Sequence, residues 1–128
     1  MATRASEDGA RPDVVLDVEF DQGLLWLVVA NIGERPALAA QVRFEKPFRG
    51  LGGSTEVSAL RLFRRIEFLP PGKEIRTLLD ASAAYFARKE PTKLAATIAF
   101  RDDGGQGYER RIVHDLAIYR DIAYVAER

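Results

Sequence analysis

His114 is the chain's only histidine, and Asp115 follows it directly, so an imidazole base oriented by a carboxylate is the first chemistry to weigh. Neighbouring residues on a strand point to opposite faces, which keeps these two side chains apart. His114 shares its phase with Ile112, Leu116 and Ile118, so a half-buried, hydrogen-bonded histidine is expected rather than a base. Asp102 and Asp103 precede Gly104, Gly105 and Gly107, which invites a calcium reading. A calcium loop needs about six oxygens at regular spacing and a bidentate glutamate; this loop has neither, and a hairpin tip is expected. The run "GLGGSTE" from Gly50 is glycine-rich but lacks the lysine that a phosphate cradle places after its glycines.

Arg61, Arg64 and Arg65, with Arg49 nearby, form the densest basic cluster, and Arg110-Arg111 lies on another segment. Acidic residues interleave at Glu56, Glu67 and Glu109, and no aromatic-basic stacking motif of an RNA-binding sheet is present, so a solvated charged surface is expected and no nucleic acid. The chain has no cysteine, which removes disulfides, thiolate metal sites and thiol nucleophiles. No catalytic, cofactor-binding or metal-ligating residue is assigned; the reading is non-enzymatic, with no cofactor.

The elements around these residues are mostly strands. Val14, Leu16, Val18 and Phe20 alternate with acidic residues, as in a strand with one wet face. Leu24 to Ala30 is apolar in both phases, as in a strand covered on both sides, and Trp26 is placed in the core with the phenylalanines. After the turn residues Asn31, Gly33 and Pro36, Ala40, Val42 and Phe44 alternate with Gln41, Arg43 and Glu45. A helical turn is expected between Val57 and Phe63, then a short strand Ile66 to Leu69, a type II turn at Pro71-Gly72, and Glu74 to Leu79 as its partner strand. Asp80 is expected to cap a short helix over "ASAAYFARK" that crosses between sheets. Leu94 to Arg101 and Tyr108 to Ile118 read as a hairpin around "DDGGQG".

At 128 residues, with 47% hydrophobic and 30% charged residues and zero formal net charge, the chain has the composition of one folded domain and no overall field for polyanions or bilayers. Residues 1–12 lack the apolar region of a secretory signal and are expected to be a flexible leader to a β-sandwich over 13–120, with a tail at 121–128. A cytoplasmic protein without membrane insertion is the corresponding expectation. About seven short strands separated by turns predict an all-β, immunoglobulin-like antiparallel β-sandwich with one short crossover helix.

The run "LVVANIGERPALAAQV", an apolar strand followed by Asn31-x-Gly33, Pro36-Ala37 and an alternating strand, resembles the CARDB-like immunoglobulin-like domains of bacteria and archaea. The later "FLPPGKEIRTLL" looks like that family's second recurring element. The resemblance implies that Asn31, Gly33, Ala37 and Gly72 are turn and packing residues, and that the domain serves protein-protein contact.

The expected activity is therefore non-catalytic binding or assembly, through an exposed edge strand or the C-terminal tail, with a protein partner or a second copy. Phe48, which follows Pro47 into a glycine loop, is expected at the surface. Tyr119 and Tyr124 are amphipathic aromatics near the C-terminus, and Ile118, Ile122 and Val125 recur at helical spacing, with Asp121 as a cap. Phe48, Tyr119, Ile122, Tyr124 and Val125 are the candidate interface. The alternative is a small-molecule or carbohydrate-binding sandwich using the loops 50–55 and 102–107.

Overall fold

The computed structural model describes residues 9–123. Seven strands, β1 (Val14–Asp21), β2 (Leu24–Asn31), β3 (Ala37–Phe44), β4 (Ile66–Leu69), β5 (Glu74–Ala81), β6 (Lys93–Arg101) and β7 (Gly107–Asp115), form two antiparallel sheets. Their orders are β1-β2-β5 and β4-β3-β6-β7. This is the all-β immunoglobulin-like sandwich expected, and the fourth strand lies beside the third rather than in the sheet of the first two, where constant-type immunoglobulin domains carry it. Short helices α1 (Arg61–Arg64) and α2 (Ser82–Ala87) are confined to connections, and α2 carries the chain from one sheet to the other.

Alternation places the core where the pattern puts it. Leu16, Val18, Leu27, Val29 and Leu79 of the smaller sheet face Ala40, Val42, Leu94, Ala96 and Ile98 of the larger. The tight turn between β1 and β2 uses Gln22 and Gly23, both at positive φ, which matches the twist of the strands it joins. In β3, Leu38 pairs with Arg101 and Gln41 with Ala99, so one extra residue is accommodated, and Ala39 takes a left-handed φ of 53°. That bulge preserves inward phase from Ala37 to Ala40.

Asn31 closes one end of the sandwich. Its buried side-chain oxygen accepts from the amides of Asp13 (3.0 Å) and Gly33 (2.9 Å), and its nitrogen donates to the carbonyls of Arg35 (2.8 Å) and Leu69 (2.9 Å). Its backbone bonds Lys73 and Gly72 of the turn after β4. One residue thus ties together the start of β1, the β2–β3 turn, the end of β4 and the β4–β5 turn. Gly33 is needed beside it because a Cβ there would stand 2.3 Å from the Arg11 carbonyl oxygen.

Several expectations are corrected. β4 and β5 are not partners: the Pro70-Pro71-Gly72 turn has the type II form, with Gly72 at φ 80°, but it crosses between sheets, because Asn31 holds both of its ends. Arg11 and Pro12 belong to the folded part, since the Arg11 carbonyl accepts from Glu34 and Pro12 is buried. Asp80 does not cap α2; Ala81 occupies the N-cap without a side-chain bond. Trp26 lies on the outer face of β2, half-exposed, beneath the Arg76 guanidinium at 4.4 Å, while Val28 and Ala30 of the same face are buried. Only the second half of β2 is covered on both sides.

The Asn31 cluster predicts an isosteric test. Asn31→Asp keeps both acceptor bonds but sets an oxygen against the carbonyls of Arg35 and Leu69. It should lower the free energy of unfolding by about 3 kcal/mol, read as a lower urea midpoint at unchanged slope.

Candidate functional site

Phe48 is not at the surface. It is 1% exposed, its ring meets Phe44 edge-on at a centroid distance of 4.8 Å, and its amide is held by the Ser58 hydroxyl. The glycine loop folds it inward because Phe44, Phe63 and Val57 supply an apolar pocket that solvent does not.

His114 reaches across the sandwich, and its Nε2 lies 2.6 Å from the Leu16 carbonyl oxygen. A carbonyl only accepts, so Nε2 must carry the proton. Asp115 points elsewhere and accepts from the Ala117 amide, capping the 3-10 turn Leu116–Tyr119. The imidazole and carboxylate therefore do not meet. Tyr119 is half-buried, stacked on Phe20 at 5.7 Å, with its hydroxyl 3.4 Å from the Val18 carbonyl oxygen. Burial raises its phenol pKa, with the Asp17 charge adding to the effect. Asp115 caps the turn before the tail, and Ile118 and Ile122 stand exposed, at 62% and 47%; the rest of the tail that Asp121 is expected to cap lies outside the described residues. Tyr124 and Val125 lie outside the described residues.

The two loops of the small-molecule reading sit at opposite ends of the sandwich. Leu38 pairs with Arg101, just before 102–106, whereas Phe44, which precedes 45–65, pairs with Ala96 near the other end of β6. Each loop is also engaged internally. Asp102 is buried, and its carboxylate accepts from the amides of Gly104 and Gln106 and from the Tyr108 hydroxyl, so it staples the hairpin. Burial, then this bond to Asp102, raises the Tyr108 pKa. Asp80 accepts from the amides of Gly52 and Ala81 and pairs with Arg88 at 2.9 Å; Arg88 also donates to the carbonyls of Ala84 and Arg49. Glu90 accepts from the Arg49 amide. The loop 50–55 is thus clasped against the end of β5, and Gly50 is obligatory there because a Cβ would meet the Leu79 carbonyl oxygen at 2.0 Å. Among the described residues no three His, Asp or Glu side chains converge on a metal position.

Sheet edges differ in how open they are. β1 is closed by side chains: Leu16 and Val18 carbonyls receive His114 and Tyr119, and the Val18 amide donates to Asp17 at 2.8 Å. Arg110 adds an ion pair to Asp13. β5 is covered at its C-terminal end by the clasped loop. β7 is one edge strand of the larger sheet and β4 the other, with Val113 of β7 and Phe68 of β4 exposed. β4 pairs with β3 only at Ala37, Leu38 and Ala40, so Gln41 to Phe44 have a strand neighbour on the β6 side alone.

Two concavities flank that short pairing. One of about 580 Å³ is lined by Ala39, Gln41, Arg65, Ala99, Arg101 and Glu109 among others. The second, about 540 Å³, is lined by Gln41, Arg43, Phe44, Lys46, Phe63 and Arg64 among others. They share Gln41. The sequence reading weighed Arg64 and Arg65 but missed Arg43, Lys46 and Arg101. The outward phase of Arg43 and Arg101 was visible; the bulge at Ala39 and the early end of β4, which bring them to one trough, were not.

A family described as Domain of unknown function (DUF8453) matches residues 1–120. The chain belongs to the DUF8453 family. No curated protein and no solved structure gives a significant match. For this DUF8453 domain, function is therefore argued from its own surface. No helix among the described residues is long and apolar enough to cross a membrane.

The phenols supply a test of the packed end beside α2. Tyr85 is buried, donates to the Pro91 carbonyl at 2.5 Å, and has its pKa raised well above 10 by burial, with the Glu90 charge adding to it. A raised folded pKa means the neutral phenol is favoured by folding, so its contribution is intact below pH 10 and is lost as pH climbs further. Urea midpoints should fall steeply above pH 10, and Tyr85→Phe should flatten that fall while costing about 1 kcal/mol at neutral pH.

Proposed function

We propose that the chain is a non-catalytic binding and assembly module that makes protein contacts along β7 and the turn that follows it. The observation that carries this reading is the sequence of exposed apolar side chains Val113, Ile118 and Ile122 on and after the β7 edge of the larger sheet. Exposed sheet edges accept a further strand through backbone hydrogen bonds, and apolar residues beside the edge add burial. His114 and Tyr119 support the same reading from the other side. They anchor β7 and its turn to β1, so the contact surface is held rigid rather than ordered on binding.

Self-association is the simplest version, because two β7 edges can pair antiparallel about a two-fold axis and continue the sheet across both copies. A different protein offering a strand engages the same groups. The CARDB-like resemblance points in the same direction, toward contact rather than chemistry.

Sedimentation velocity at micromolar concentration, with affinity capture by the intact chain, tests the proposal. Ile118→Ser together with Ile122→Ser should weaken self-association or partner capture about tenfold without changing the thermal midpoint, since both side chains are exposed. A wild-type monomer that captures nothing, or a variant that behaves as wild type in both assays, would remove the proposal.

A further inference from the structure

A neutral chain has divided its charge between its two outer faces. On the outer face of the smaller sheet, Asp17, Glu19 and Asp21 of β1 and Glu74 of β5 stand against the single cation Arg76. On the other side, the trough along β3 gathers Arg43, Lys46, Arg64, Arg65 and Arg101 against Glu56 and Glu109. Arg43 is engaged by Glu109 and Arg65 by Glu67. Lys46, Arg64 and Arg101 are exposed and have no carboxylate within ion-pair distance among the described residues.

The shape of the trough selects an extended chain. Its two parts meet at Gln41: one spreads from the bulge at Ala39 across Ala99 and Arg101 to Glu109, and the other follows β3 to Phe44 beside helix α1, which packs against β3 where β4 ends. Ala39 and Ala99 lower its floor at one end, and the partly buried Phe44 gives it an apolar wall at the other. A left-handed alanine costs about 1 kcal/mol that a glycine would avoid, and the fold carries that strain at the point where the trough opens. We propose that this trough binds an extended acidic segment of a protein partner, with carboxylates near Arg101, Arg64 and Lys46 and an apolar side chain against Phe44. The six residues from Ala39 to Phe44 span roughly 20 Å at about 3.3 Å each, so a segment of about that length follows this part of the trough.

Other polyanions fit less well. Glu56 and Glu109 interrupt the cations, which repels a uniform phosphate backbone but leaves room for a peptide whose carboxylates are spaced. Aromatic faces suited to base stacking are scarce among the described residues of the trough: Phe63 is buried, Phe44 packs edge-on with Phe48 and Phe63, and Tyr108 is stacked on Phe100. The trough reaches Gly107 to Glu109 at the start of β7, while the proposed assembly contact uses Val113, Ile118 and Ile122 further along the chain.

The probe is a fluorescein-labelled peptide of about eight residues, Glu and Asp around one central Leu, followed by anisotropy at low and at physiological salt. Binding is expected at low salt, weakened by added salt and by replacing the Leu with Gly. Arg64→Glu with Arg101→Glu should weaken it about tenfold or more, whereas Arg76→Glu on the other face and the Ile118, Ile122 pair of serines should leave it unchanged. Thermal melts confirm that each variant is folded. The proposal is overturned by no anisotropy change at low salt, by equal losses for the Arg76 variant and the trough variant, or by an oligothymidylate that displaces the peptide.

Discussion

The fold depends on a single buried amide. Asn31 uses every donor and acceptor it has, and the groups it satisfies come from four separate stretches of chain that meet at one end of the sandwich. Without it, the carbonyls of Arg35 and Leu69 and the amides of Asp13 and Gly33 would face a low-dielectric interior with nothing to bond. Two sheets that share only apolar contacts can slide; an amide bonded into both fixes how they are aligned. The order of the larger sheet follows, because the turn leaving β4 is held by Asn31 and delivers the chain to the far side of β2.

A sandwich has four sheet edges to manage, and this one manages them unequally. β1 is sealed by side chains from β7 and the turn after it, so the two sheets are buttoned together along one side by His114 and Tyr119. The single histidine is thereby a structural hydrogen-bond donor. β5 is partly roofed by a loop clasped through Asp80 and Arg88, both largely withdrawn from solvent. What stays accessible on the larger sheet is β7 at one side and the trough beside α1 and β4 at the other. The first is bordered by apolar residues and the second by cations.

Much of this was legible in the residues. Period-two alternation, with short apolar runs at Leu24 to Ala30 and Ile66 to Leu69, located the seven strands and most of the core, and Asn31, Gly33 and Gly72 announced turns whose geometry the structure contains. Phase could not reveal which strands are neighbours: Leu69 and Glu74 are separated by a tight turn yet pair in different sheets, a choice made by Asn31 at a distance of 38 residues from Leu69. Phe48 misled for a related reason, since a proline-phenylalanine-glycine context looks exposed until distant Phe63 and Val57 close over it. Asp80 looked like a helix cap because caps are local, but a long-range cation and the amide of Gly52 satisfy it instead. The trough was hidden for the same reason; its cations are far apart in sequence and meet only because β3 bulges and β4 stops short.

β1 begins at the end of the sandwich where Arg11 and Asn31 sit, and β7 finishes at the other end, beside the start of β6. β1 and β7 therefore run in the same direction, and tension applied through the two ends of the folded region pulls along the strands rather than peeling them apart. Under such loading the whole β1–β2 ladder must slip together, with the His114 and Tyr119 fastenings strained at the same moment. A domain wired in this way resists stretching along its length and yields abruptly instead of unzipping bond by bond.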